Sequence, residues 1–480
     1  MVCQEKCSVF LANFYKLKGE GIMEKRLFIK KNVRYENRDC EDKELIIFPD
    51  IPFWFVGTNG CKSFLDSSEN MTQEEFEVLK EDEKKLLEFL IRSGSASFIE
   101  KIQTMDISDK MDIYPLLSIW VNVDSACNLN CKHCFLGEKD ITKKENMLSP
   151  EDYRKIASDV LSLKGQRPIK IDITGGEPLL RSDFLEIVEA FNMKGIDLNV
   201  ITNGILLTDK IISSLSKIKN LELTISLDGV TKEQHEFIRG CNTFNKTVEN
   251  IRKCTNAGIS TTLTMTVHKG NQESIIDYFS FAEELGAVHV NLSFLNDFGN
   301  APIFGLEAPD EAILTNKVLL EAVNNDVVYN KLMDTSVGRL IDTILLPVRT
   351  ECCGAGINTC SIGADGNVYP CPSFQIEGFV AGNVKETSIQ EIWRSINSFR
   401  EHRDVDISTL NPICSTCDVR LFCGGGCRAQ AYFTNNKNLY ARSKKCLEYK
   451  RTILDTIWLL DKYPKLAALH TTIGATFRGH

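Results

Sequence analysis

The sequence predicts an α/β protein built around a partial barrel of six βα units, with an α+β unit ahead of it and a cysteine-rich module behind. Three observations carry that expectation. From about residue 115 to 300, short apolar runs alternate with amphipathic segments of helical period. Ahead of them, runs rich in β-branched and aromatic residues precede a helical stretch. From about residue 345 onward, cysteine density rises and Gly and Pro become frequent.

Taken in order, residues 1–23 read as a short tail or as the product of a mis-assigned start, with translation beginning at Met23. Glu5 and the lack of a small-residue cleavage site argue against a secretory signal there. Residues 24–106 form the α+β unit. Arg26–Lys30, Glu44–Phe48 and Pro52–Val56 are its strands, and Gly57, Asn59 and Gly60 its turn. A helix is expected over Thr72–Ile91, with Thr72 as N-cap, Glu75 closing a capping box and Gly94 ending it. Residues 107–300 form the barrel. Its strands are Ile119–Val123, Ile169–Thr174, Leu198–Thr202, Leu221–Leu227, Thr261–Val267 and Val288–Phe294. Helices include Pro150–Leu163, with Ser149 as N-cap, and Gln272–Leu285, closed by Gly286. Six units in place of eight leave the barrel open on one side, as a bulky substrate requires. Residues 301–345 read as a helical connection, and 346–450 as a module held together by metal more than by side chains. Residues 451–480 read as a C-terminal tail.

Composition excludes several classes. Hydrophobic content of 43% and charged content of 25% are those of an ordinary globular protein. A net charge of −9, with no local Lys/Arg block, argues against nucleic-acid binding. No apolar run approaches the length of a membrane span. Eighteen cysteines without a signal peptide fit a reducing cytoplasm and metal ligation.

The chemistry is concentrated in the cysteines. Cys127, Cys131 and Cys134 form a C-x3-C-x2-C run directly after the first barrel strand. Three such thiols always leave one over, so they are no disulfide framework, and chance would produce only ~0.03 such runs in this chain. They can hold three irons of a 4Fe-4S cluster and leave the fourth open. That run resembles the radical S-adenosylmethionine (AdoMet) enzymes, whose reduced cluster splits AdoMet to a 5'-deoxyadenosyl radical. The resemblance implies a TIM-like partial barrel, cluster and AdoMet as cofactors, and an electron donor such as flavodoxin or ferredoxin.

Further motifs extend the resemblance. Gly175-Gly176-Glu177-Pro178 ends the second strand, where a glycine pair lets backbone approach a ligand, and in the family this run contacts the AdoMet amino group. Ser226-Leu227-Asp228-Gly229, with His235 and Arg239-Gly240 after it, resembles the family's segment for the ribose and carboxylate of AdoMet. By that resemblance Ser226 and Asp228 would bind ribose hydroxyls, and Arg239 would offer its fork to the carboxylate. Asn203 is a further candidate for the ribose or methionyl group. His133 and His268 lie where the family packs adenine.

Cys414, Cys417, Cys423 and Cys427 follow the spacing C-x2-C-x5-C-x3-C, and Cys446 comes later. Upstream, Cys353, Gly366 and Cys371 complete a C-x12-G-x4-C arrangement. Together they resemble the SPASM domain, which binds two auxiliary 4Fe-4S clusters. The resemblance implies Cys353, Cys371 and Cys427 for the first cluster, and Cys414, Cys417, Cys423 and Cys446 for the second. Cys360 is placed to complete the first cluster, with Cys352 as the competing ligand.

Residues 24–106 resemble in pattern the winged-helix-like peptide-recognition domain of peptide-modifying enzymes, the fold of the pyrroloquinoline-quinone chaperone (PqqD-like). That implies a precursor peptide with a leader as partner, paired as an added strand near Phe53–Val56. In anaerobic sulfatase maturases an Asp follows the last cysteine of the first group and acts as base. Here Pro372-Ser373-Phe374 follows Cys371. The expectation is therefore a maturase that cross-links a ribosomally made peptide, most simply through a Cys thioether. Carbon–carbon linkage and small-molecule chemistry of the haem-biosynthetic kind are the alternatives. A plain electron carrier has no use for the AdoMet motifs.

Overall fold

The computed structural model describes residues 26–36, 42–98, 114–137, 146–163, 168–332, 335–345 and 352–467. Readings made on residues 1–23, 99–113, 346–351 and 468–480 lie outside them. β1 (Phe28–Ile29) opens the α+β unit, followed by β2 (Val33–Glu36), β3 (Lys43–Phe48), β4 (Phe53–Thr58) and β5 (Ala96–Ser97). β2, β3 and β4 make one antiparallel sheet in that order, and β1 pairs with β5. Strand alternation explains how this sheet is buried on both faces. Ile46, Phe48, Phe53 and Phe55 pack with Leu65, Leu87 and Leu90 of the unit's own helices. Leu45, Ile47, Trp54 and Val56 join the core of the rest of the molecule instead. Trp54 Nε1 donates to the Ile344 carbonyl at 2.9 Å, fixing that union.

Two helical expectations change here. The stretch Thr72–Ile91 is two helices, Gln73–Glu77 and Glu81–Arg92. Thr72 caps the first with Glu75 as expected. The second starts afresh because the Lys80 N–H donates to the Glu83 carboxylate, and Glu81, Asp82 and Glu83 complement a new helix N-terminus. Cys61–Ser68 is a further helix that the sequence pattern did not disclose.

All six barrel strands form: β6 (Ser118–Asp124), β7 (Ile169–Gly175), β8 (Ile196–Thr202), β9 (Leu221–Ser226), β10 (Ser260–Val267) and β11 (His289–Phe294). They pair in parallel in sequence order. Pro150–Leu163 is helical, while Gln272–Leu285 divides into a 3-10 turn at Gln272–Ser274 and a helix at Ile275–Glu284. Ile119, Ile171, Leu198, Leu223 and Leu263 form the apolar layer beneath the helices. Polar Asp172, Asn199 and Thr224 lie on inward positions, linked by hydrogen bonds of 2.8 Å.

The sheet does not stop at β6. β12 (Thr359–Ile362) adds in parallel to β6, then β13 (Asn367–Tyr369) and β14 (Gly382–Asn383) add antiparallel, giving nine strands. The cysteine-rich segment therefore closes onto the barrel edge and shares its side-chain core. Ile362, Val368, Ile389 and Trp393 continue the barrel's core, correcting the expectation of a module held mainly by metal. Residues 451–462, read as tail, belong to the helix Cys446–Lys462. Ile453, Ile457 and Leu460 on that helix are buried. Among the described residues no helix is long and apolar enough to cross a membrane.

Candidate functional site

The loop after β6 carries Cys127, Cys131 and Cys134 above the carboxyl end of the sheet. The Cys131 thiol, mostly buried, is pushed up to about 11 by burial. Arg239 opposes that shift, and Asp228, Cys134 and Cys127 reinforce it, so all three thiols lie within electrostatic reach of one another. The loop is clamped from three directions. Asn300 donates its side-chain amide to the Cys131 carbonyl at 3.1 Å and its backbone N–H to that of Cys134 at 2.9 Å. Asn203 Nδ2 donates to Asn128 Oδ1 at 2.8 Å. Lys132 N–H donates to the Ile238 carbonyl at 3.0 Å.

The glycine pair has a reason beyond ligand approach. A Cβ on Gly175 would sit 2.2 Å from the Asp124 carbonyl oxygen, and one on Gly176 would sit 2.0 Å from that of Ala126. The chain's own cysteine loop fills the space. Gly176 and Glu177 N–H groups donate to those same two carbonyls at 2.7 and 2.9 Å. Glu177 turns inward and is 1% exposed. Its carboxylate accepts from Thr202 Oγ1 at 2.6 Å, the Asn203 N–H at 2.9 Å and the Leu179 N–H at 3.2 Å. Burial raises its pKa in spite of those bonds. Glu177 thus braces β7 to β8.

Asp228 is the hub. It is fully buried just beyond β9, and its Oδ2 accepts from Arg239 Nε at 2.6 Å and pairs with His133 Nε2 at 2.7 Å. Its Oδ1 accepts from the Thr266 N–H at 2.8 Å. Burial opposes ionisation, but Arg239, His133 and these hydrogen bonds outweigh it and hold the carboxyl far below the usual range. The Asp228 N–H donates to His235 Nδ1 at 3.1 Å, and burial lowers that imidazole to about 4. Arg239, 8% exposed, aims Nη1 at Cys131 Sγ, 3.9 Å away. Nε is committed to Asp228, and the Nη side faces the cysteine loop. Ser226 is half-buried at the end of β9, with no side-chain partner among the described residues. His268 is buried, stacks on Phe237, and accepts the Gly270 N–H at Nδ1.

The C-terminal thiols fall into two groups. Cys414, Cys417, Cys423 and Cys446 line one pocket. Cys353 and Cys427 both act on the titration of Cys371, marking the second group. Cys360 belongs to neither. It stands in register with Ile119, is fully buried in the apolar core, and is pushed up to about 12 by burial, with Arg403 as its charged neighbour. Its role as completing ligand is thereby corrected, because strand alternation seats the thiol in the apolar core of the sheet. Cys352, next to Cys353 in the chain, donates its thiol to the His402 carbonyl at 3.9 Å and is the thiol beside that group. The donor sets fit the implied groups: three thiols at an open loop for the first cluster, and four around one cavity for another.

Sequence reasoning missed Asn122, Ser361 and Gln375. Asn122 Nδ2 donates to Gln375 Oε1 at 2.6 Å, and Gln375 Nε2 donates to Ser361 Oγ, joining β6, β12 and the turn after Cys371. No local signal marks them, since the strand pairing that unites them spans over 230 residues of chain.

Thiols above the carboxyl end of a parallel barrel, beside a glycine turn, define an iron–sulfur enzyme class. Residues 121–282 match the family model of the radical SAM superfamily, and residues 352–418 that of the SPASM iron–sulfur cluster-binding domain. The chain is 30% identical over 333 residues to the AdoMet-dependent heme synthase of Methanosarcina barkeri, covering 66% of this chain and 92% of that one. It is 26% identical over 333 residues to the mycofactocin maturase MftC of Mycolicibacterium smegmatis, covering 67% and 80%. Streptococcus suis SuiB bound to precursor peptide SuiA shares the fold at a TM-score of 0.55 and 16% identity, over 86% of this chain and 100% of that one. This chain belongs to the radical SAM superfamily. It is an enzyme that uses AdoMet and 4Fe-4S clusters.

Proposed function

We propose that this enzyme matures a ribosomally made precursor peptide by joining a substrate cysteine sulfur to carbon as a thioether. The observation that carries the proposal is the sheet β2-β3-β4. Its faces are buried, while β4 pairs only with β3 among the described residues, so its outer edge is available to a leader strand. The SuiB likeness supports this reading. It covers 86% of 480 residues, about 413, and residues 107–480 number only 374, so part of the match falls before residue 107. MftC, a maturase by name, supports it as well.

In this reading Cys127, Cys131 and Cys134 hold the AdoMet-cleaving cluster, which when bound supplies the 5'-deoxyadenosyl radical. Asp228, Arg239 and His133 hold the cysteine loop against the end of β9, and Ser226 offers a hydroxyl to AdoMet. Forming the thioether removes one hydrogen atom from carbon and one proton from the thiol, and leaves one electron. Cys353, Cys371 and Cys427, with Cys352 beside them, and the Cys414 group would hold its acceptors. Pro372 directly follows Cys371, where a sulfatase maturase carries its Asp base, so formylglycine formation lacks that base here.

The test uses the intact enzyme with a precursor peptide encoded nearby. Each cross-link should make the peptide about two mass units lighter and remove one alkylatable thiol. A two-unit loss with every thiol still alkylatable indicates a carbon–carbon link. The 30% identity to a heme synthase favours a second reading, small-molecule radical chemistry. Turnover of a haem precursor with none of the peptide would establish it.

A further inference from the structure

Arg428 is the largest fully buried side chain among the described residues. Every acceptor it meets is a backbone carbonyl. Nη1 donates to Leu439 at 3.1 Å and to Ala441 at 3.0 Å, Nη2 to Gly425, and Nε to Gly426 at 3.4 Å. No carboxylate pairs with it among the described residues. The one titratable base that feels it, buried His402, is held neutral by burial and by this guanidinium. A buried cation lacking an anion is strongly disfavoured, so the anion must come from another source. Both thiol groups adjoin it. Arg428 directly follows Cys427 in the chain, and Gly425, whose carbonyl accepts from Nη2, lines the same cavity as Cys414, Cys417, Cys423 and Cys446.

We infer that Arg428 is the shared buried counter-charge of both auxiliary clusters and raises their reduction potentials, preparing them to accept the electron left by substrate. This rests on the auxiliary-cluster reading above. A fixed positive charge in a low-dielectric interior stabilises the reduced, more negative state of each cluster. The carbonyl cradle holds that charge between the two groups, because each N–H donor is spent on backbone and none on a competing acid. Arg428 is thus a positioning residue that acts through the clusters.

The test is a redox titration of the intact, anaerobically reconstituted protein, followed by electron paramagnetic resonance and iron content. Arg428→Gln should lower both auxiliary potentials by at least tenfold in the reduction equilibrium, about 59 mV for one electron. The AdoMet-cleaving cluster should not move, and Arg428→Lys should stay near wild type. Loss of the auxiliary irons from the Gln variant alone also supports the inference, since charge is then required to hold two anionic centres. Unchanged potentials in Arg428→Gln overturn it. So does Arg428→Lys behaving as Arg428→Gln, in potential or in iron loss, because the cradle and not the charge would then matter. A wild-type protein with only about four irons refutes instead the cluster reading on which it rests.

Discussion

Arg239 shows how far a residue's role depends on its partner. Its charge is buried against Asp228, itself fully buried, so removing Arg239 leaves that carboxylate only His133 and the Thr266 N–H to offset its burial. Arg239→Ala is expected to cost about 3–5 kcal/mol of stability, in addition to any weakening of AdoMet binding. A thermal unfolding midpoint unchanged from wild type would contradict this. Cys360 invites a cleaner comparison. Because its thiol lies in the apolar core of the sheet, Cys360→Ala should keep the full iron content, whereas Cys353→Ala should lose about four irons. Equal losses from both variants would return Cys360 to the cluster. Changing Cys127, Cys131 and Cys134 together to Ala should abolish AdoMet cleavage while the auxiliary irons remain, as iron analysis and 5'-deoxyadenosine release would show.

At the scale of elements, β4 and the C-terminal helix carry the consequences. A leader peptide that adds to the sheet should slow amide exchange across Phe53–Thr58, because free strand N–H groups gain partners. Mass-resolved hydrogen exchange with and without precursor peptide measures that, and unaltered exchange there would place the leader elsewhere. Removing residues 24–106 outright is the wrong experiment. Leu45, Ile47, Trp54 and Val56 belong to the main core, and deletion would expose their partners. The helix Cys446–Lys462 likewise serves two ends, with Cys446 in the thiol pocket and Ile457 in the core. Ile457→Ala should cost about 2–5 kcal/mol, seen as a lower unfolding midpoint.

For the whole molecule, the buried histidine beside the hub predicts how stability follows pH. Burial lowers the pKa of His235 from 6.5 to about 4. Unfolded chains take up that proton near 6.5, while the folded protein refuses it until about 4. The contribution is therefore complete above 6.5 and is lost progressively as pH falls toward 4. It amounts to about 3 kcal/mol at the acid end. His235→Asn can keep an acceptor for the Asp228 N–H and removes the titration, so the gap between wild type and variant should narrow or reverse on acidification. Parallel stability curves across that range would exclude the linkage.

Local pattern was enough for the six barrel strands, the capping box at Thr72 and the two cysteine motifs, because each is written in residues close together in the chain. Periodicity also sufficed for the Pro150–Leu163 helix, whose apolar positions all face one layer. What tertiary structure alone decided lies in contacts between distant segments. β12 joins β6 across more than 230 residues, which seats Cys360 in the apolar layer with Ile119 and carries the cysteine module into the sheet. Asp228 and Arg239 are 11 residues apart, yet their partners come from two other stretches of chain, His133 and Cys131 from one and Thr266 from the other. That Gly175 and Gly176 must also be glycine to pass under the Asp124 and Ala126 carbonyls is visible only once the strands are paired. Composition and spacing specify which groups a chain owns. Burial and opposing charges, set only once the strands pair, specify what each group can do.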